Sequence, residues 1–309
     1  MIIRLLAFAT GALMLATLLA FGGRWSWACE LLVNFRTHFA MALGLVLVTA
    51  AVTRHWMIAG FAALGLVLNA WSLQDAFIEP RAAPAAADAR PVRVVSFNVN
   101  VGNADSARIA SYLDSLSPDV VVLEEVTAAN AERLGSLLTR LPHRHAGMWG
   151  VVIFSRWPLI PTRRIAPEGS FLRAPVDVDL GDRRLRLHAL HLHWPLVPKS
   201  AEIRNSQLMW LGRELAACEG ACIAVGDFNT TPWSSHFRGL VKVSGHQDCA
   251  AGRGLLPTWP SGLPAFLRIR IDHCLASADV SVADVRVGDS VGSDHLATIN
   301  DLLVGKPHK

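Results

Sequence analysis

Six short polar motifs recur along the last two-thirds of this chain. The places are Phe97-Asn98-Val99-Asn100, Leu123-Glu124-Glu125-Val126, His191-Leu192-His193, Gly226-Asp227-Phe228-Asn229, Arg270-Ile271-Asp272-His273 and Ser293-Asp294-His295. Five of the six directly follow or end a strand-like run. Polar groups at strand ends collect along one edge of a sheet, where they can hold a metal ion and a phosphate.

The runs between these motifs alternate strand and helix. Val92–Asn98, Val120–Glu125, Val151–Phe154, Val176–Leu180, Leu185–His191, Cys222–Val225, Arg270–Ala276 and Val280–Val287 read as strands. Ser106–Ser115 is amphipathic, with Ile109, Tyr112, Leu113 and Leu116 at helical spacing. Thr127 suits the N-cap of a helix that ends before Pro142. Pro198 opens a long helix carrying Ile203, Leu208, Leu211 and Leu215. This order fits two sheets packed face to face with helices outside. No internal repeat is present.

The first quarter of the chain has another composition. Leu5 to Phe21, Phe39 to Val52 and Met57 to Trp71 are apolar runs, with Trp25, Trp27, Trp56 and Trp71 near their ends. A bilayer core takes about 20 apolar residues per helix, and tryptophans gather at its surfaces. The expectation is three transmembrane helices in residues 1–73. A signal peptide over residues 1–28 is the rival reading, and the two further apolar runs argue against it. Arg4 and Arg54 would lie on the cytoplasmic side, which puts the rest of the chain outside the cytoplasm. Residues 74–91 are an Ala/Pro-rich linker without a packing face, so the catalytic domain is expected over 92–309.

Charge is nearly balanced outside the membrane region. Residues 81–309 carry 25 basic against 22 acidic side chains, too even for a protein that grips nucleic acid mainly by charge. Arg163-Arg164 and Arg183-Arg184 with Arg186 read as solvated loop charges. Among the five cysteines, Cys218 and Cys222 could close a small disulfide loop in an oxidising compartment, and Cys249 and Cys274 a second. Buried thiols are the default for each. A zinc centre is not expected, because Cys218 and Cys222 have no matching second pair.

Taken in order, the six motifs resemble the endonuclease/exonuclease/phosphatase superfamily, whose members include exonuclease III-type repair enzymes, DNase I, neutral sphingomyelinases and inositol polyphosphate phosphatases. The resemblance spans roughly Val92 to Leu303. Val151-Val152-Ile153-Phe154-Ser155-Arg156 with Pro158 looks like the family's central strand, and Arg204 and Gln207 match a polar pair on the helix after the His motif. The resemblance implies an α/β fold, a four-layer α/β sandwich of the DNase I type, preceded here by the three transmembrane helices.

It also implies roles for residues. Glu125 is the foremost metal ligand, with Asn98 and Asp294 beside it, for Mg²⁺ or Mn²⁺. Asn98 is placed to offer an oxygen to the metal or an amide to a phosphate. His191 contacts the phosphate; His193 shares its strand face by period two, and His191 is favoured because it closes the apolar run. Asp227 and Asn229 orient the attacking water and bind the phosphate. Asp272 accepts from the His295 ring, which then acts as general base or transition-state stabiliser. Glu124 stands where the family usually has Gln, and alternation sends it to the opposite face. His273 is structural. Departures from the family are the lack of an early acid near Asn98 and of a Tyr near His191, where Trp194 lies instead. Thr258-Trp259-Pro260 is expected at the substrate rim.

The anchored domain resembles a bacterial subgroup that includes a glycopeptide-resistance membrane protein. The expected function is a membrane-anchored phosphoesterase of the inner (plasma) membrane. Its partners would be the lipid bilayer and a phosphorylated, lipid-linked substrate such as a polyprenyl pyrophosphate. A nuclease is the alternative, disfavoured by charge and anchor; an inactive envelope-binding domain is the third reading.

Overall fold

The computed structural model describes residues 2–78, 88–147, 150–162 and 175–306. Four helices open the chain: α1 (Ile2–Ala20), α2 (Trp27–Val33), α3 (Arg36–Val52) and α4 (Trp56–Leu73). α1, α3 and α4 pack around Leu43, Val46 and Ala62. Their outward side chains, among them Phe8, Leu45, Val48, Met57, Phe61 and Val67, are apolar and exposed. Ile3–Arg24 and Trp56–Ala76 are long and apolar enough to cross a membrane; α2 and α3 add a third span only if their 62° bend is counted within one. The expected three helices are therefore two clear spans and a bent pair, because Asn34 and Phe35 interrupt the run before α3.

The remaining chain forms β1 (Arg90–Asn98), α5 (Ser106–Leu116), β2 (Val120–Glu124), α6 (Ala128–Leu137), β3 (His143–Ala146), β4 (Val152–Ser155), β5 (Leu159–Pro161), β6 (Val176–Asp179), β7 (Arg184–His191), α7 (Pro198–Ala216), β8 (Cys222–Asp227), α8 (Ser235–Ser244), β9 (Gln247–Asp248), β10 (Asp272–Ala276), β11 (Val280–Val287) and β12 (Thr298–Val304). Local chemistry sets several boundaries. Asp105 caps α5 by accepting from the Arg108 N–H at 3.0 Å, and Thr127 caps α6 by accepting from Asn130 at 3.2 Å. Pro198 starts α7, where a missing N–H costs nothing.

The strands build two six-stranded sheets, ordered β11-β12-β1-β2-β4-β3 and β5-β6-β7-β8-β10-β9. Between them lies the largest core, with Val94, Val122, Ile153, Leu187, Ile223 and Val225. α5 and α6 cover the first sheet over Phe97, Ile109, Leu113 and Leu134. α7 and α8 cover the second over Leu190, Leu208, Leu211 and Phe237. This is the four-layer α/β sandwich.

Each sheet has one parallel pair at its centre, β1 with β2 and β7 with β8. Register places Asn98 beside Glu124, His191 beside Asp227, and Asp227 opposite Asp272 on antiparallel β10. The polar strand ends therefore meet at one edge.

The structure departs from the sequence reading at β12 and in the linker. β12 was not foreseen, since Asn300 and Asp301 interrupt its apolar run; inside the sheet Asn300 donates to Val94 O at 3.3 Å and Asp301 pairs with Arg93 at 2.6 Å. Within the expected linker, Gln74–Ala76 is a 3₁₀ turn whose carbonyls accept from the Gly252 and Gly254 N–H groups. Residues 79–87 of that linker, and Arg163-Arg164, lie outside the described residues. Cys249 and Cys274 are buried side by side, sulfurs 2.8 Å apart.

Candidate active site

The edge where the two parallel pairs end brings most of the expected site residues into direct contact. β8 carries Asp227, only 1% exposed, to its centre. The approach of β7 to β8 depends on Gly226: its φ is +144°, and a Cβ there would stand 1.9 Å from Leu190 O. The Asn98 amide N–H₂ donates to Glu125 Oε1 at 3.0 Å and to Asp227 Oδ2 at 3.3 Å. Its oxygen accepts from the Asn100 N–H at 3.1 Å, so the amide turns its nitrogen, not its oxygen, to the acids.

His191 Nε2 stands 3.6 Å from Glu125 Oε1 and 3.9 Å from Asp227 Oδ2. Of the two histidines on that strand end, it is thus the His191 ring that lies between the acids. Asn229 takes a left-handed turn (φ +49°) and donates its N–H to Asp227 Oδ1 at 2.8 Å and its amide to Asp227 Oδ2 at 3.2 Å. Asp272 meets His295 Nδ1 at 3.0 and 3.2 Å, leaving Nε2 facing Asp227 Oδ2 at 3.8 Å.

Asp294 sits at the rim. Its carboxylate accepts from Asn100 Nδ2 at 2.7 Å and from the Trp259 indole at 3.1 Å. Its closest ties are therefore to these two side chains and not to Asn98 or Glu125.

The electrostatics follow from burial and crowding. Burial pushes the Asp227 carboxyl up to about 6, against the pull of His295. Burial opposes charging of His295, yet the carboxylates of Asp272, Asp227 and Asp294 raise it to about 10. Against burial, the hydrogen bonds from Asn100 and Trp259 hold Asp294 below the usual range. His273 is buried against Phe228 and Phe237 and faces Thr230 O at 2.8 Å, which is a structural place.

Two features were not anticipated. Glu124 does not leave the site: it lies fully buried beneath it, accepting from Ser96 Oγ at 2.8 Å. Alternation fails because Glu125 turns into the left-handed region (φ +58°), so both acids reach the same edge. The second is Glu30 of α2. It is buried, pairs with Arg204 Nη2 at 2.6 Å and accepts from Ser234 Oγ at 3.1 Å and Asn205 Nδ2 at 3.3 Å. Arg204 Nη1 in turn donates to Asn229 O at 2.7 Å, and Gln207 Oε1 accepts from the His193 N–H at 3.0 Å. The signal was in the sequence, since Glu30 is the one acid within residues 1–73.

A four-layer sandwich with carboxylates, amides and an Asp–His pair at one sheet edge defines a class of phosphoester-cleaving folds. The Endonuclease/Exonuclease/phosphatase family model matches residues 95–295, and the chain belongs to that family of phosphoester-hydrolysing enzymes. Among curated proteins no sequence matches. Solved structures share the fold. An endonuclease/exonuclease/phosphatase from Beutenbergia cavernae is 22% identical, with 70% of this chain and 72% of that one covered, at a TM-score of 0.54. One from Bacteroides vulgatus is 16% identical, with 70% and 99% covered, at 0.56. Truncated TDP2 from Caenorhabditis elegans is 18% identical, with 70% and 98% covered, at 0.51.

Proposed function

We propose that this chain is a membrane-anchored, divalent-metal-dependent phosphoesterase whose substrate is a phosphorylated envelope lipid of the polyprenyl pyrophosphate class. The observation that carries it is the link from Glu30, between the apolar helices, through Arg204 to the carbonyl of Asn229. The reacting edge is thereby tied to the foot of the membrane region. The ends of α1 and α4 at Ala20 and Leu73 pack with Trp233 and Leu255 of the catalytic domain. Arg4 and the α3–α4 turn with Arg54 are at the other ends of those helices, which supports a cytoplasmic Arg4 and Arg54 and an extracytoplasmic catalytic domain.

Two apolar loops border the site. Trp194, Leu196 and Val197 follow His193 and are exposed, and Trp27 of α2 donates its indole N–H to Pro195 O at 2.7 Å. Leu263, Phe266 and Leu267 are exposed on the loop after Trp259, and Phe266 lines a cavity of about 80 Å³ with Thr37 and Met41 of α3. Exposed apolar groups beside membrane helices suit a substrate with an acyl or prenyl chain.

The donor set is rich in oxygen and fits a hard cation, Mg²⁺ or Mn²⁺. Glu125 and Asn98 would hold it, Asn98 presenting its oxygen after an amide flip, and Asp294 would join them by giving up Asn100 and Trp259. When bound, such an ion neutralises phosphate charge and polarises the bond to be cleaved. His191 binds the phosphoryl group, and the charged His295 ring places positive charge against its oxygens. Asp272 fixes the His295 tautomer. Asp227 orients the attacking water and takes its proton, helped by a carboxyl held near neutrality, while Asn229 braces Asp227.

The test compares a polyprenyl pyrophosphate in mixed micelles with a soluble pyrophosphate monoester and an oligonucleotide. The lipid is expected to be turned over, and Trp194→Ala with Phe266→Ala to raise KM for the lipid about ten-fold while sparing the soluble ester. Oligonucleotide cleavage that falls steeply with salt, without lipid turnover, would make the protein a nuclease instead.

A further inference from the structure

The helix-covered face of the second sheet carries a group of side chains that phosphoester chemistry leaves unused. Along β7 the side chains alternate: Leu185 and Leu187 enter the core between the sheets, whereas Leu190 packs under α7 and α8. His188 therefore points to the helices, the opposite side from His191. Cys222, the first residue of β8, packs on that same helix side. Cys218 follows the end of α7.

His188, Cys218 and Cys222 bring one ligand atom each within 4.8 Å of one another. His188 is 3% exposed, and its Nε2 has no hydrogen-bond partner among the described residues. His246, which follows α8, is 5% exposed; its Nδ1 faces Ser244 O at 3.2 Å and its Nε2 is likewise without a partner. It lies between α8, which packs on α7, and β9 of the same sheet. Two orphaned imidazole nitrogens, one of them beside two thiols, are unusual in a protein interior, where polar atoms are nearly always satisfied.

We propose that His188, Cys218, Cys222 and His246 form a structural Zn²⁺ site, separate from the catalytic edge. The donors are two sulfurs and two nitrogens with no carboxylate, the set a borderline-soft tetrahedral cation takes and Mg²⁺ does not. Around Zn²⁺ such donors lie roughly 3.4–3.8 Å apart, so His188, Cys218 and Cys222 need to close by about 1 Å, within reach of side-chain rotation, and His246, which is outside that group of three, has to turn further to supply the fourth donor. The ion would fasten the end of α7 and the segment after α8 to the sheet. The second ligand pair escapes a reading of Cys spacing because its histidines come from distant parts of the chain.

The test uses full-length protein in detergent, first as isolated without reductant, then reduced, stripped with chelator and titrated with Zn²⁺ or Co²⁺ in excess Mg²⁺. One Zn²⁺ per chain should remain through gel filtration, and Co²⁺ should give tetrahedral d–d bands with thiolate-to-cobalt charge transfer. Cys218→Ser, a mild change at a half-buried position, and His246→Gln should each weaken Zn²⁺ binding at least about ten-fold. Co²⁺ spectra without thiolate charge transfer, or undiminished Zn²⁺ binding by Cys218→Ser, would overturn the site. So would a Cys218–Cys222 disulfide found by mass spectrometry in the protein as isolated.

Discussion

Glu124 is a carboxyl group where a charge is badly placed. It is completely buried, its Oε2 has no partner among the described residues, and burial, with Asp272 close by, pushes it well above the ordinary range. Burial thus favours its neutral form, close in shape to the Gln the family usually has there. Unfolded, it ionises near about pH 4. A raised native value means stability that is full below the unfolded value and lost as pH rises. Glu124→Gln should thus keep hydrolysis and raise the thermal midpoint by an amount that grows as pH rises above about 4, measured in chelator. A difference independent of pH would contradict this. At this scale the sequence was informative because polar residues closing apolar runs have few structural uses. What it could not carry was the left-handed turn at Glu125, which cancels the period-two rule for Glu124. Nor could it show that Asn100 and Trp259 share the Asp294 carboxylate, a contact made across 194 residues in one case.

Short elements that depend on tertiary contact were the ones sequence pattern missed. α2 has seven residues, too few to form alone, and is fixed by the Glu30–Arg204 pair and the Trp27–Pro195 bond. α8 is likewise short, and β12 hides polar residues that the sheet itself satisfies. Strands with uninterrupted apolar runs, such as β2 and β8, were plain. The buried pair gives α2 a measurable weight. Glu30→Ala leaves the Arg204 guanidinium, 0% exposed, without its carboxylate. The expected loss is about 3–5 kcal/mol. It should also slow turnover, because Arg204 holds the Asn229 carbonyl. Glu202→Ala, which breaks an exposed pair with Lys199, is expected to cost nearly nothing. Equal thermal midpoints for the two variants would show that α2 does not lock the catalytic domain.

Across the whole molecule, the two readings of composition and of motif meet at one surface. The apolar helices are long enough to cross a membrane, the sandwich carries the candidate reacting edge, and Glu30 with Arg204 joins the two. The composition break showed that there are two regions, but not that they touch, because the contact rests on scattered single residues such as Trp233 and Ala76. The central claim is that the edge around Glu125, Asp227 and His295 hydrolyses a phosphoester with a divalent ion. The most direct measurement is phosphate release from polyprenyl pyrophosphate by the full-length protein in detergent. It is run with Mg²⁺ or Mn²⁺ and with chelator, beside Glu125→Ala and His295→Ala. Release that requires the ion and falls at least about 100-fold in each variant is predicted. Release that persists in chelator, or that both variants retain, would contradict it.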